Sequence, residues 1–171
     1  MKKIMILLVA ILGFAASAKA QDDSKMAAGL NFNVGVGDSY TNFGLGAKYQ
    51  YRFASHWRAE ASFNYYFKKD FVNMWDFNLD AHYLIPVKGV TIYPLAGLTL
   101  RGTKVSVSVG DDDYYFGTIS ASETNIGINY GAGVEFPVTD AIKLNFEAKG
   151  VTCGGGWGTR GVFSIGAAYC F

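Results

Sequence analysis

Gly161-Val-Phe-Ser-Ile-Gly-Ala-Ala-Tyr-Cys-Phe171 is a stretch with two unlike faces. Phe163, Ile165, Ala167, Tyr169 and Phe171 alternate with Val162, Ser164, Gly166, Ala168 and Cys170. Successive strand side chains point to opposite sides, so the stretch has one broad apolar face ending in aromatics and one face of mostly small residues. A strand of this kind needs an apolar surrounding or a closed partner sheet.

The same period of two runs upstream. Phe43, Leu45, Ala47, Tyr49, Tyr51 and Phe53 alternate with Gly44, Gly46, Lys48, Gln50 and Arg52. Trp57, Ala59, Ala61, Phe63, Tyr65 and Phe67 alternate with Arg58, Glu60, Ser62, Asn64, Tyr66 and Lys68. Trp75, Phe77, Leu79, Ala81 and Tyr83 face away from Asp76, Asn78, Asp80 and His82. Ile126, Ile128, Tyr130, Ala132, Val134 and Phe136 face away from Asn125, Gly127, Asn129, Gly131, Gly133 and Glu135. Ile142, Leu144, Phe146 and Ala148 oppose Lys143, Asn145, Glu147 and Lys149. A first strand over 26–36 sets Leu30, Phe32, Val34 and Val36 against Gly29, Asn31, Asn33 and Gly35. The segment 90–100 is less regular, with Tyr93 and Leu95 on the face opposite Ile92, Pro94, Ala96, Leu98 and Leu100. Apolar parity then switches to Val105, Val107 and Val109, which predicts a bulge near Gly102, because one extra residue reverses the faces.

The connections alternate in kind. Short turns are expected at 54–56, 86–89 and 137–140, a long loop at 103–124, and intermediate loops at 68–73 and 152–160. Short turns at one end and longer loops at the other mark an up-and-down barrel, and eight strands is the even number it requires.

Lys2 and Lys3, the apolar run Ile4–Phe14 and the small residues Ala18-Lys19-Ala20 read as a secretory signal peptide cleaved before Gln21. The run is about half the roughly 20 apolar residues that a membrane-spanning helix needs. Residues 1–20 are thus expected to be removed, leaving 21–171 as one barrel domain with no lipid-anchoring Cys at its start. That leader holds three of the 15 Lys and Arg and none of the 14 Asp and Glu, so the mature domain is slightly acidic and nothing recruits nucleic acid. Cys153 and Cys170 are too few for a disulfide scaffold and lack metal-ligand neighbours.

Periodicity alone leaves open whether the apolar face points into a soluble binding barrel or out to lipid; side-chain size separates the two. An eight-stranded barrel has an interior just wide enough for side chains to fill. The polar set, rich in Gly, Ser and Asn, suits that space, and the Phe, Tyr, Trp and Leu set belongs outside. Phe53, Trp57, Tyr83, Phe136, Tyr169 and Phe171 gather at the turn end, and Phe43, Phe67, Trp75 and Phe163 near the loop end, as two interfacial girdles. The expected fold is an all-β, eight-stranded, antiparallel, up-and-down transmembrane β-barrel. With its leader, strand count and ending Phe163-Ser-Ile-Gly-Ala-Ala-Tyr-Cys-Phe171, the chain resembles the small eight-stranded outer-membrane barrels of the OmpA-transmembrane and OmpX/Ail type, the "porin family". The resemblance covers the whole mature chain. It implies residence in a Gram-negative-type outer membrane and recognition by the barrel-assembly machinery through Tyr169 and Phe171. No peptidoglycan-binding domain follows the barrel, so that activity is not implied.

Lys48, Arg52, Arg58, Glu60, Asp76, Asp80, His82, Arg101, Glu135, Lys143, Glu147 and Lys149 fall on the inward face. Buried charges must be paired, so they read as a salt-bridged plug, with an ion path as the alternative. His82 and Asp80 share a face, but no Ser is placed with them for nucleophilic catalysis, so no catalytic residue is assigned. His56 lies in a turn and is expected at the interface. At the tip of the longest loop, Gly110-Asp-Asp-Asp-Tyr-Tyr-Phe116 lacks the alternate spacing of a calcium loop, and no metal or cofactor is expected. Tyr114, Tyr115 and Phe116 could contact a partner or pack on themselves. Gly154–Gly156 reads as a flexible loop.

These features point to a non-enzymatic outer-membrane barrel in contact with outer-membrane lipid, its loops open to an extracellular protein or glycan. The resemblance supplies adhesion or envelope integrity as its role. A small channel is the alternative reading; a lipid-modifying outer-membrane enzyme and a soluble ligand-binding barrel are further ones.

Overall fold

The computed structural model describes residues 25–37, 41–69, 72–111, 114–154 and 158–171, with backbone alone for 68–69, 105–111 and 114–120. The leader expected over 1–20 lies outside these residues, as do Asp112, Asp113, Gly155 and Gly156. Nine strands follow one another: β1 (Met26–Val36), β2 (Thr41–Ala54), β3 (Trp57–Lys69), β4 (Val72–Tyr83), β5 (Ile85–Val87), β6 (Val90–Asp111), β7 (Tyr114–Pro137), β8 (Ile142–Cys153) and β9 (Thr159–Cys170). The three-residue β5 is a short arm paired with the start of β6. The other eight form the barrel, each antiparallel to its neighbours. β4 pairs with β6 on one side, and β1 pairs with β9 to close the ring. Closure leaves no edge and satisfies the ladder internally, the condition for a sheet to sit in lipid.

Exposure is inverted relative to a water-soluble domain. Leu45 is 55% exposed and Phe163 55%, whereas Lys48 is 4% and Glu60 2% exposed. The apolar parity of the barrel strands therefore faces outward and the polar parity fills the interior, as side-chain size predicts. At the turn end Trp57 meets Tyr83 edge-on at 5.1 Å, and His56 stacks on Tyr83 at 5.8 Å. At the loop end Phe32 stacks on Phe43 at 6.0 Å, and Phe63 on Trp75 at 5.9 Å.

Two-residue turns close the tightest hairpins. Between β5 and β6, Lys88 (φ 42°) and Gly89 (φ 89°) both take the left-handed conformation, the pattern whose twist matches that of the flanking strands.

The structure corrects three expectations. The bulge near Gly102 is absent: Gly102 pairs in register with Trp75 on β4 and Thr124 on β7, and the β6–β7 shift falls at Val109/Gly110. Val105, Val107 and Val109 keep the parity of Thr99, Arg101 and Thr103, so the apolar switch marks where the hairpin leaves the barrel rather than a slip in pairing. The long loop at 103–124 is instead paired strand, from Thr103↔Glu123 to Asp111↔Tyr114. Beyond Val105, the last residue paired with β4, it projects about 20 Å at the usual strand rise. Finally, β3 runs to Lys69 paired with Val72 of β4, and β8 runs to Cys153 with β9 beginning at Thr159, which shortens the loops expected over 68–73 and 152–160 and moves Cys153 and Arg160 into strands.

Candidate functional site: the polar lumen

Strand parity delivers the polar side chains to the barrel axis, where they form stacked layers. At the turn end Arg58 Nη1 donates to Glu135 Oε2 at 2.6 Å, and Lys143 Nζ reaches Glu135 Oε1 at 3.3 Å from a partly exposed position. The Arg58 guanidinium also donates to His82 Nδ1, with Nη2 at 3.0 Å, and lies 4.9 Å from the Tyr93 ring centroid. His82 stacks on Tyr93 at 4.7 Å, and Leu84 and Leu95 pack beside that ring. Tyr93 lies where a Cβ on Gly133 would stand, so the absent side chain makes room for it.

The middle layer is densely cross-linked. Lys48 Nζ donates to Asn145 Oδ1 at 2.6 Å, and Gln50 Nε2 donates to Glu60 Oε2 at 2.6 Å. Lys149 Nζ sits 3.2 Å from Asp80 Oδ2 and 3.5 Å from Glu147 Oε1. Asn129 Nδ2 donates to Asp80 Oδ1 at 2.8 Å, and Tyr93 Oη to Glu147 Oε2 at 3.2 Å. Asn64 and Asn78 both donate to Asp76 Oδ1, at 2.7 and 2.8 Å, and Asn33 donates to Asn64 at 2.8 Å. Toward the loop end Arg160 lies 4.2 Å from the Tyr66 ring centroid and donates to Asn42 Oδ1 and Met74 Sδ.

Ten of the expected lumen residues are buried together: Lys48, Arg58, Glu60, Asp76, Asp80, His82, Arg101, Glu135, Glu147 and Lys149. Arg52 and Lys143 are only half-buried, at the turn-end rim. Sequence reasoning missed Arg160, which it left in a loop. The signal was its parity, shared with Val162 and Ser164. Tyr115 and Tyr114 pair with Gly110 and Asp111 at the hairpin tip, and Phe116 adjoins them; the side chains of all three lie outside the described residues. Tyr169 and Phe171 stack at 6.5 Å, and Phe171 N donates to Met26 O at 2.9 Å, beside the barrel seam.

Glu60, Asp80 and His82 bring potential ligand atoms within 4.8 Å of one another. Their chemistry does not suit a metal. His82 Nδ1 accepts from Arg58, which leaves the neutral ring's proton on Nε2 and no lone pair there. Asp80 is held by Lys149 and Asn129, and Glu60 by Gln50. The same Arg58 contact takes the His82 nitrogen that would serve as a general base.

The family model of the outer membrane protein beta-barrel domain matches residues 6–171. Among solved structures, the attachment invasion locus protein Ail of Yersinia pestis shares the fold with a TM-score of 0.60 and 21% identity, over 86% of this chain and 97% of that one. Neisserial surface protein A aligns with a TM-score of 0.66 and 19% identity, over 85% and 96%. The N-terminal barrel of Pseudomonas aeruginosa OprF aligns with a TM-score of 0.57 and 16% identity, over 85% and 97%. No curated protein sequence matches the chain.

Proposed function

The chain belongs to the outer membrane protein beta-barrel domain family, and from that premise we propose that it is a non-enzymatic, plugged barrel that acts through its outer loops in adhesion or envelope integrity. The observation that carries the plug is the lumen itself. Lys149 and Asp80, and Arg58 and Glu135, pair across a barrel of eight strands, a width that side chains fill. An ion crossing this interior would have to part several buried ion pairs at once. The projecting β6–β7 hairpin supports the second half of the reading, since it carries backbone well past the barrel rim where a protein or glycan on another surface could meet it. The name of Ail, an attachment protein of the same fold, agrees with that role.

In this reading residues 1–20 are cleaved during secretion, outer-membrane lipid surrounds the aromatic faces, and Tyr169 with Phe171 guides the assembly machinery. Two measurements test it. Purified barrel in planar bilayers should show no steady single-channel current at neutral pH; sustained currents would promote a small channel instead. Cells displaying the full barrel should bind host cells or matrix more strongly than cells displaying a version with residues 106–119 replaced by a two-residue turn. Equal binding would remove the hairpin from the function.

A further inference from the structure

Most lumen charges neutralise one another. Lys48, Arg58, Lys143 and Lys149 each lie within 4.0 Å of a carboxylate of Glu60, Asp80, Glu135 or Glu147. Three further buried charges lie toward the loop end, Asp76, Arg101 and Arg160, so this end has an excess of positive charge. Asp76 already accepts from Asn64 and Asn78, and Arg160 is held by Asn42, Met74 and the Tyr66 ring. Arg101 stands apart. It is 2% exposed, yet its Nε and Nη2 make no hydrogen bond. These two nitrogens form one edge of the guanidinium, the edge that grips a planar or tetrahedral oxyanion through two parallel bonds. Tyr66, fully buried, adds a second unpartnered group, its hydroxyl. The register sets both around one stretch of wall: Tyr66 opposes Met74 on β4, and Asp76, two residues on, opposes Arg101 on β6. A guanidinium buried with two silent N–H groups is strongly disfavoured unless an acceptor answers them.

We propose that the loop-end layer of the lumen is a binding site for a small oxyanion, a carboxylate, phosphate or sulfate group, gripped by the side-on fork of Arg101. The Tyr66 hydroxyl donates to a further oxygen. Arg160, stacked on the Tyr66 ring, adds positive charge beside that hydroxyl's ring. Two coplanar acceptors take one near-linear bond each from the fork, whereas a spherical halide must share a single point between two bent ones, so the site prefers oxyanions to chloride. It is independent of what the hairpin binds and of whether the deeper lumen conducts.

The test is a titration of the folded barrel in detergent micelles with inorganic phosphate, at ionic strength held constant with chloride. The arginine Nε–H signals of the parent are followed by nitrogen-15 NMR, and phosphate binding to the parent and every variant by isothermal titration calorimetry. One arginine signal should shift saturably. Arg101→Met should abolish the calorimetric binding. Arg101→Lys, which keeps the charge but loses the fork and guards against a folding defect, should bind about tenfold more weakly or worse. Tyr66→Phe, which keeps the ring under Arg160, should weaken binding by about two- to tenfold. Lys25→Gln, at an exposed position outside the barrel strands, should bind like the parent. A linear, non-saturating shift, an equal response to chloride, or undiminished binding in either Arg101 variant would overturn the site.

Discussion

Arg58 Nη1 donates to Glu135 Oε2 at 2.6 Å across the lumen, from β3 to β7, while the same guanidinium lies 4.9 Å from the Tyr93 centroid. Glu135 is the hub of this layer, because Lys143 reaches its other oxygen. Glu135→Leu therefore strands two cations, whereas Arg58→Met leaves Glu135 with Lys143. The first should destabilise the barrel by about 3–5 kcal/mol, the usual cost of breaking one side of a buried pair, and the second by less. The double variant should cost less than the two single changes together. Urea unfolding in micelles, read by the mobility of unboiled samples in SDS, measures all three; strict additivity would show that the pair is not coupled.

Leu45 tests the face assignment, since it points outward between Phe32 and Tyr65. Leu45→Arg should cost about 2–4 kcal/mol if the residue lies near the bilayer midplane. Leu45→Ala should fall well below the roughly 2–5 kcal/mol of a soluble core site, because lipid fills the space left behind. The same unfolding assay in lipid vesicles checks both. A cost for Leu45→Ala matching that of a soluble core would place the residue inside.

The barrel was legible because its two faces differ in both size and polarity, so that parity and side-chain size together sort Lys48, Glu60, Asp80 and Lys149 into the lumen. The reading failed where apolarity stopped tracking the membrane. Toward its end β6 leaves the barrel as a projecting hairpin with β7, so Val105, Val107 and Val109 could be apolar on the lumen parity without any slip in register. Arg160 was lost for a related reason: glycines on either side made the start of β9 look like loop. Pairings such as Lys149 with Asp80 depend on register between strands distant in sequence, and no local pattern encodes that.

Phe171 offers a test of biogenesis. Its N–H bonds to Met26 O at 2.9 Å beside the seam, and its ring stacks on Tyr169 at 6.5 Å. Phe171→Ala keeps the backbone bond and removes only the ring. Refolded in vitro, it should lose no more stability than Phe32→Ala. In cells, the folded amount in the outer membrane should fall further than for Phe32→Ala if, as proposed, the assembly machinery reads this aromatic. Matching cellular levels for the two variants would reduce Phe171 to strand packing.

The cysteines report on the register of the last two strands. Thr152 pairs with Thr159 and Ile142 with Tyr169, so Cys153 lies at the loop end of β8 and Cys170 at the turn end of β9. About ten residues of strand separate them, on the order of 30 Å, while disulfide-bonded Cα atoms approach within about 7 Å. No intramolecular bridge should form even in an oxidising compartment, and both thiols are free. A loop position for Cys153 would have made it a ready target for reagents outside the cell. The structure buries it beside Val151 and Val162, and Cys170 beside Ala27 and Ala168. A membrane-impermeant maleimide applied to intact cells should therefore label neither native thiol appreciably, although both should react after unfolding. In a chain with both cysteines changed to Ser, Gly154→Cys occupies an open position beyond β8 and should label on intact cells, provided surface glycans allow access. Asp140→Cys, in the turn between β7 and β8, should label only after the outer membrane is permeabilised. A native Cys153–Cys170 disulfide would sink the β8–β9 register, and labelling of Asp140→Cys without Gly154→Cys would turn the barrel over in the membrane.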